Sequence, residues 1–292
     1  MVQMLKLVAA GLSSAPIVSA HYIFNILMHN GQPVGGEYDY VRKNSNSYNP
    51  AFMDIVNSND LRCNVGTSAG GTKTYDVKAG DQIGLKVFNN ENIEHPGPGF
   101  FYMSKAPGDV ASYDGSGDWF KVWESGATGA PNTNEGWGTW QATAMEFTLP
   151  ASLPDGEYLL RAEHIGIHEN HIECAQIRVT GGGNGSPSPL VKIPGVYSTT
   201  DQALTYNFWG GGGSYEMPGP AVWGGGGGSG SPNQVTPAQG APVQTPTQGT
   251  PIQGTPVQGN PNQGNDRGNP WGNQGGNFQG LANKAGYNYF QG

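Results

Sequence analysis

The chain has 292 residues, of which 48 are glycine and 22 proline; together they approach about a quarter, a level that signals low complexity somewhere. Only 12% is charged, and a net charge of −8 with a pI near 5.1 excludes a nucleic-acid partner, because phosphate contacts need clustered lysine and arginine. No apolar run beyond the N-terminus reaches the roughly 18 residues of a membrane-spanning helix, so no membrane partner is expected; two cysteines are too few for a disulfide-dense scaffold.

Residues 1–20, MVQMLKLVAAGLSSAPIVSA, set a lone Lys6 before an apolar run and close on Val18-Ser19-Ala20, an A-x-A-like cleavage site. The segment reads as a secretory signal peptide, which predicts a secreted, extracellular protein. Cleavage removes Lys6, leaving the mature chain one unit more negative. An exported chain with two cysteines most simply joins them, Cys63 to Cys174, a long loop that would stabilise by roughly 4–5 kcal/mol in the chain-entropy model. Cleavage also makes His21 the first residue. An N-terminal histidine offers its α-amine and ring Nδ1, which together close a six-membered chelate on a metal. The amine's ordinary pKa of about 7.7–8.0 lets a metal displace its proton near neutral pH. One further imidazole completes a planar three-nitrogen set suited to Cu(II).

Short strand-like runs follow at 22–27, 72–77, 82–88, 100–103, 144–149, 157–163 and 175–179, punctuated by Gly, Pro and Asn. Lys78-Ala-Gly-Asp81 looks like a tight turn, and 150–156 supplies another. No long stretch holds a 3.6-residue apolar period. The pattern predicts an all-β domain over 21–223, an immunoglobulin-like antiparallel β-sandwich with long loops. After Trp223 the composition changes. A glycine run precedes a pentapeptide repeat, Gly-Thr-Pro-Ile-Gln, Gly-Thr-Pro-Val-Gln, Gly-Asn-Pro-Asn-Gln, from Gly249 to Gln263. Such a segment cannot bury enough apolar area to offset its chain entropy, so 224–292 is expected to be a disordered Gly/Pro/Gln/Asn-rich extension.

His95-Pro-Gly-Pro-Gly-Phe-Phe-Tyr-Met supplies a second histidine on a Gly/Pro-shaped loop. With it, the order of segments from His21 onward resembles auxiliary activity family 9, the fungal copper-dependent lytic polysaccharide monooxygenases formerly classed as glycoside hydrolase family 61. The segments are Ser58-Asn-Asp-Leu-Arg-Cys63, Asp76-Val-Lys-Ala-Gly-Asp81, Asp118-Trp-Phe-Lys-Val-Trp-Glu124, Gly156-Glu-Tyr-Leu-Leu-Arg-Ala-Glu163, Ile165-Gly-Ile-His168, Cys174-Ala-Gln and Tyr215-Glu-Met-Pro-Gly-Pro220. The resemblance implies one copper ion per chain, held by the amine and Nδ1 of His21 and by the ring of His95. It makes His168 a neighbouring histidine that hydrogen-bonds oxygen species near the metal, and it gives His29 and His164 no role. It implies cellulose or a related β-glucan as substrate, an external electron donor, O2 or H2O2, and a monomer.

One stretch departs from the family pattern. The family carries Gln-x-Tyr-x-x-Cys, with the tyrosine at the axial copper position and the glutamine beside it; here Glu169-Asn-His171-Ile-Glu-Cys174 stands before the cysteine. Aligned without a gap from Cys174, Glu169 takes the glutamine position and His171 the tyrosine position, making His171 an axial substitute. In the other reading 168–171 is loop and a segment holding Gln and Tyr is missing. Glu-Asn-His looks like loop and Ile-Glu-Cys like strand, so the second reading is preferred; shortening then threatens the strand that presents Cys174.

For substrate contact, planar aromatics stack on sugar rings. Tyr215, in the family's Tyr-x-x-Pro-Gly-Pro block, is the leading candidate; Tyr38 and Tyr40 rank lower, and Trp119, Trp123, Trp137 and Trp140 are expected in the core. The expected function is oxidative cleavage of β-1,4-glucan at C1 or C4. The alternatives are an impaired or non-catalytic copper or glucan binder of the same family, and a hydrolase with paired carboxylates drawn from Glu124, Glu146, Glu157 and Glu163.

Overall fold

Apolar residues that alternate with polar ones stand on one face of a strand, and this period organises the molecule. The computed structural model describes residues 21–51, 53–166, 169–210 and 213–224; the expected signal peptide, His168 and the extension beyond residue 224 lie outside them. The described strands are β1 (Phe24–His29), β2 (Gln32–Val34), β3 (Tyr75–Lys78), β4 (Gln82–Val87), β5 (Gly99–Lys105), β6 (Phe120–Ser125), β7 (Ala144–Thr148), β8 (Gly156–Gly166) and β9 (Glu169–Thr180). They form two sheets, ordered β2-β1-β4-β7 and β3-β9-β8-β5-β6. Pairing is antiparallel except between β3 and β9, which run parallel. The architecture is the expected β-sandwich.

All seven expected runs are strands. The turn between β3 and β4 forms with Asp81 N–H donating to the Lys78 carbonyl and Gly80 in the left-handed region at φ +95. β2 is three residues with exposed Gln32 and Pro33, too short to show a period. β6 breaks the usual pattern by burying Lys121, whose ammonium donates to Glu124 at 2.8 Å and to the Pro218 carbonyl at 2.6 Å.

The five-stranded sheet is buried on both faces. Toward the other sheet it turns Phe101, Met103, Tyr158, Leu160, Ala162, Ala175, Ile177 and Val179, which pack with Phe24, Leu27, Leu85 and Phe147. Its outer face turns Phe100, Tyr102, Leu159, Ile172 and Cys174 into a second apolar cluster under the loops, with Leu61, Val110 and Trp119. Cys63 on the long β2–β3 connection is disulfide-bonded to Cys174 on β9, with Cα atoms 5.2 Å apart, as expected. Trp119, Trp123 and Trp137 are buried as expected and Trp140 is half-buried. Trp223 is buried against Phe120 and donates its backbone N–H to Lys121.

The stretch before Cys174 overturns the preferred loop reading. β8 and β9 pair without interruption from Gly156↔Val179 to Gly166↔Glu169, so only residues 167 and 168 join them. Glu169, Asn170 and His171 are therefore strand residues, and the strand presenting Cys174 is intact. The physical reason is the partner: eleven consecutive residues of β8 offer a ladder that the short segment joins at once, and the backbone groups of Asn170 also bond Ala51 in both directions. Local propensity for a loop yields to that pairing.

Candidate metal centre

Side chains two apart on a strand project to the same side, so Glu169 and His171 share the inner face of β9 with Glu173 and Ala175. His95 reaches them from the loop before β5. That approach needs small residues on the hairpin. A Cβ on Gly166 would lie 2.9 Å from the His95 Cβ, and one on Gly97 would overlap the Ile165 carbonyl oxygen.

The result is a group of three whose ligand atoms all lie within 4.8 Å of one another: His95, Glu169 and His171. One carboxylate oxygen, Oε1 of Glu169, is 2.8 Å from Nε2 of His95 and 3.3 Å from Nε2 of His171. Side-chain exposure falls from 22% at His95 through 11% at Glu169 to 1% at His171, so the group opens to solvent from the His95 side. Tyr22 closes the opposite side. Its ring stacks on His171 with centroids 3.9 Å apart, its carbonyl accepts the His171 Nδ1–H at 2.9 Å, and its hydroxyl bonds Nδ1 of His164 at 2.7 Å.

Electrostatics follow from burial and partners. Burial alone would raise the Glu169 carboxyl, but hydrogen bonds from His171 and His95 outweigh it and hold it at about 2. Burial pushes His171 below the usual imidazole range despite the opposing pull of Glu169. His164 is pushed lower still, by burial and then by His171 and His95. Glu173 is raised to about 8 by burial, with the Phe24 N–H and Asn64 opposing.

Beside Glu169 lies an open pocket whose walls include Gly97, Asn170, Tyr206, Phe208 and Tyr215. Both polar atoms of the buried Asn170 side chain and the Tyr206 hydroxyl find no partner among the described residues. Tyr215 is half-buried in this wall. It is edge-on to Trp137 and Tyr206, and its hydroxyl donates to the Ala203 carbonyl at 3.1 Å. The ring that stands out into solvent is Trp209, 79% exposed and packed edge-on against Phe208.

Of the residues the sequence singled out, His95 and His171 come together and Glu169 joins them. His21 is exposed and outside the group of three. There it is still peptide-bonded to Ala20, so its backbone nitrogen is an amide and the chelate cannot close. His168 lies outside the described residues. His164 is buried and structural, and His29 pairs with Asp81 on the surface. Trp209 and Tyr22 were not singled out. A lone tryptophan in a glycine-rich stretch carries no period, and Tyr22 reads as the start of a strand.

Three of the four glutamates weighed for hydrolysis serve structural partners. Glu163 holds Arg161 and Tyr197, Glu124 holds Lys121, and Glu157 holds Arg178 and the Val110 N–H. A β-sandwich on which two imidazoles and a carboxylate converge offers a group that could hold a metal ion. Residues 21–215 match the model of "Auxiliary Activity family 9 (formerly GH61)". The chain belongs to this family, the copper-dependent lytic polysaccharide monooxygenases. It is 46% identical over 246 residues to AA9 family lytic polysaccharide monooxygenase D of Emericella nidulans, covering 77% of this chain and 84% of that one. It is 44% identical over 235 residues to monooxygenase H of Malbranchea cinnamomea, covering 75% and 99%. Among solved structures it resembles HiLPMO9B, with TM-score 0.63 and 28% identity over 70% of this chain and all of that one. A cellulose-active polysaccharide monooxygenase from M. thermophila gives 0.60 and 29% at the same coverage.

Proposed function

We propose that the processed chain is a secreted, monomeric monooxygenase that cleaves β-1,4-glucan, cellulose foremost, by oxidation at C1 or C4. The observation that carries this reading is the packing of Tyr22, the residue after His21, directly on His171 and within 5.8 Å of the His95 ring centroid. Once Ala20 is removed, the amine and Nδ1 of His21 and the ring of His95 would hold copper. The donor chemistry fits: imidazole suits copper, and His171 donates its Nδ1–H to a backbone carbonyl, the arrangement that leaves Nε2 for a metal. Bound there, copper supplies redox chemistry with O2 or H2O2 after reduction by an external donor.

The chain's own residues do the positioning. Tyr22 fixes the tautomer and plane of His171, and the ionised Glu169 orients both imidazoles. Gly97 and Gly166 let the His95 loop close. The exposed Trp209 ring, next to the pocket residue Phe208, supports stacking on a flat glucan face. Tyr215 backs this wall.

A second reading, an impaired or non-catalytic binder of copper or glucan, draws on Glu169 and His171 standing where the family has glutamine and tyrosine. One experiment separates the two. Processed, copper-loaded chain is given a reductant and cellulose, and aldonic acids and C4-oxidised ends are measured. Product release supports the enzyme. No product from a chain whose copper is bound and seen by EPR supports the binder. Adding one residue before His21 is expected to weaken Cu(II) binding sharply, and equal affinity would overturn the His21 chelate.

A further inference from the structure

The His95–Glu169–His171 group has the form of a metal site complete enough to work without the freed N-terminus. Three features argue for this. The three ligand atoms come from two elements held together by the Ile165 N–H bond to the Pro98 carbonyl: the β8–β9 hairpin supplies two and the His95 loop the third. His171 already makes the bond typical of a metal-bound imidazole, its Nδ1–H donated to the Tyr22 carbonyl. Its Nε2 faces Oε1 of Glu169 at 3.3 Å. The same oxygen also approaches Nε2 of His95 at 2.8 Å, so all three donors address one volume.

We infer that His95, Glu169 and His171 form a two-histidine, one-carboxylate site that binds a divalent first-row cation such as Zn²⁺ or Co²⁺ whether or not His21 is freed. Imidazole and carboxylate together suit such borderline cations, and three protein ligands leave positions open for water or a substrate atom. The inference rests on the reading above for the location of the metal, and adds to it two ligands, Glu169 and His171.

The test uses the full chain carrying one extra residue before His21, so that the amine chelate cannot form. Co²⁺ is titrated by its visible ligand-field absorption and Zn²⁺ by calorimetry. The expected result is one cation per chain, with affinity falling at least tenfold in Glu169→Gln and in His171→Ala. Glu169→Gln preserves shape, and its metal-free melting temperature serves as the folding control. No binding by the blocked chain, or binding that Glu169→Gln leaves unchanged, overturns the site. Failure of the His21 chelate gives a different pattern: Cu(II) binds the processed and the blocked chain equally, and both lose it with Glu169→Gln.

Discussion

A buried carboxylate and a half-buried one, six residues apart on one hairpin, show how differently the molecule treats charge. Glu163, on the outer face of β8, is closed in. Both its oxygens take Arg161 N–H groups at 2.6 and 3.0 Å, and Tyr197 donates to it at 2.6 Å. Arg161 spends its remaining donors on the Leu61 and Arg62 carbonyls. Glu169, at the inner end of β9, meets imidazoles, opens toward solvent and stands beside Asn170, whose side-chain polar atoms find no partner among the described residues. The first network is fully satisfied, so it fixes the long loop against the sheet and has nothing left to offer a ligand. The second is left open to bind.

The sharpest way to break this comparison is to remove Arg161. Arg161→Met strands Glu163 in an apolar surround, and the expected loss is about 3–5 kcal/mol of folding stability, read by denaturant unfolding. A loss below about 1 kcal/mol would mean the outer network is dispensable. Replacing Cys63 and Cys174 together by serine unties the same loop from β9. Across a sequence separation of 111 residues the expected cost is about 2–5 kcal/mol, measured the same way.

The inner group is predicted to respond to metal instead. At a free Zn²⁺ concentration about 100 times Kd the chain carrying one extra residue before His21 gains about 2.7 kcal/mol, seen as a higher melting temperature that a chelator reverses. Glu169→Gln is expected to abolish most of that gain, whereas Tyr197→Phe, which touches only the outer network, keeps it. Equal gains in the two variants would erase the distinction between the regions.

The smallest predicted effect concerns a third carboxyl. Glu146 on β7 is half-buried, and one of its oxygens lacks a partner among the described residues. Burial raises its pKa, with the Gly31 N–H opposing. A group raised in the folded state contributes its stability below its unfolded pKa and loses it as pH rises through the folded value. Glu146→Gln carries no such charge, so it is expected to stabilise at pH 8 relative to pH 5, by under about 1 kcal/mol. A variant that loses stability equally at both pH values would show that the carboxyl is not strained by its burial.

Much of the fold was legible because strands announce themselves by composition. β1, β4, β5, β7 and β8 are runs rich in Ile, Val, Leu and Phe between glycine or proline breaks. β6 was not, because its buried Lys121 hides the apolar pattern until Pro218 and Glu124 arrive from elsewhere to satisfy it. The parallel β3–β9 pair joins segments a hundred residues apart, and nothing local encodes its direction. At the site, His95 was readable from its Gly/Pro loop and the two cysteines from their number. Glu169-Asn-His171 was misread as loop, since three polar residues carry no strand propensity of their own.

By itself the sequence determined what short-range chemistry can specify: a two-cysteine pairing, the β class, and the change of composition after Trp223. The tertiary structure alone decided that a shortened connection leaves the β8–β9 ladder whole and so turns Glu169 and His171 inward beside His95. Register is a property of two strands together. The partner's hydrogen bonds and the buried face on both sides choose it, and shifting by one residue would send both ligands to the opposite face.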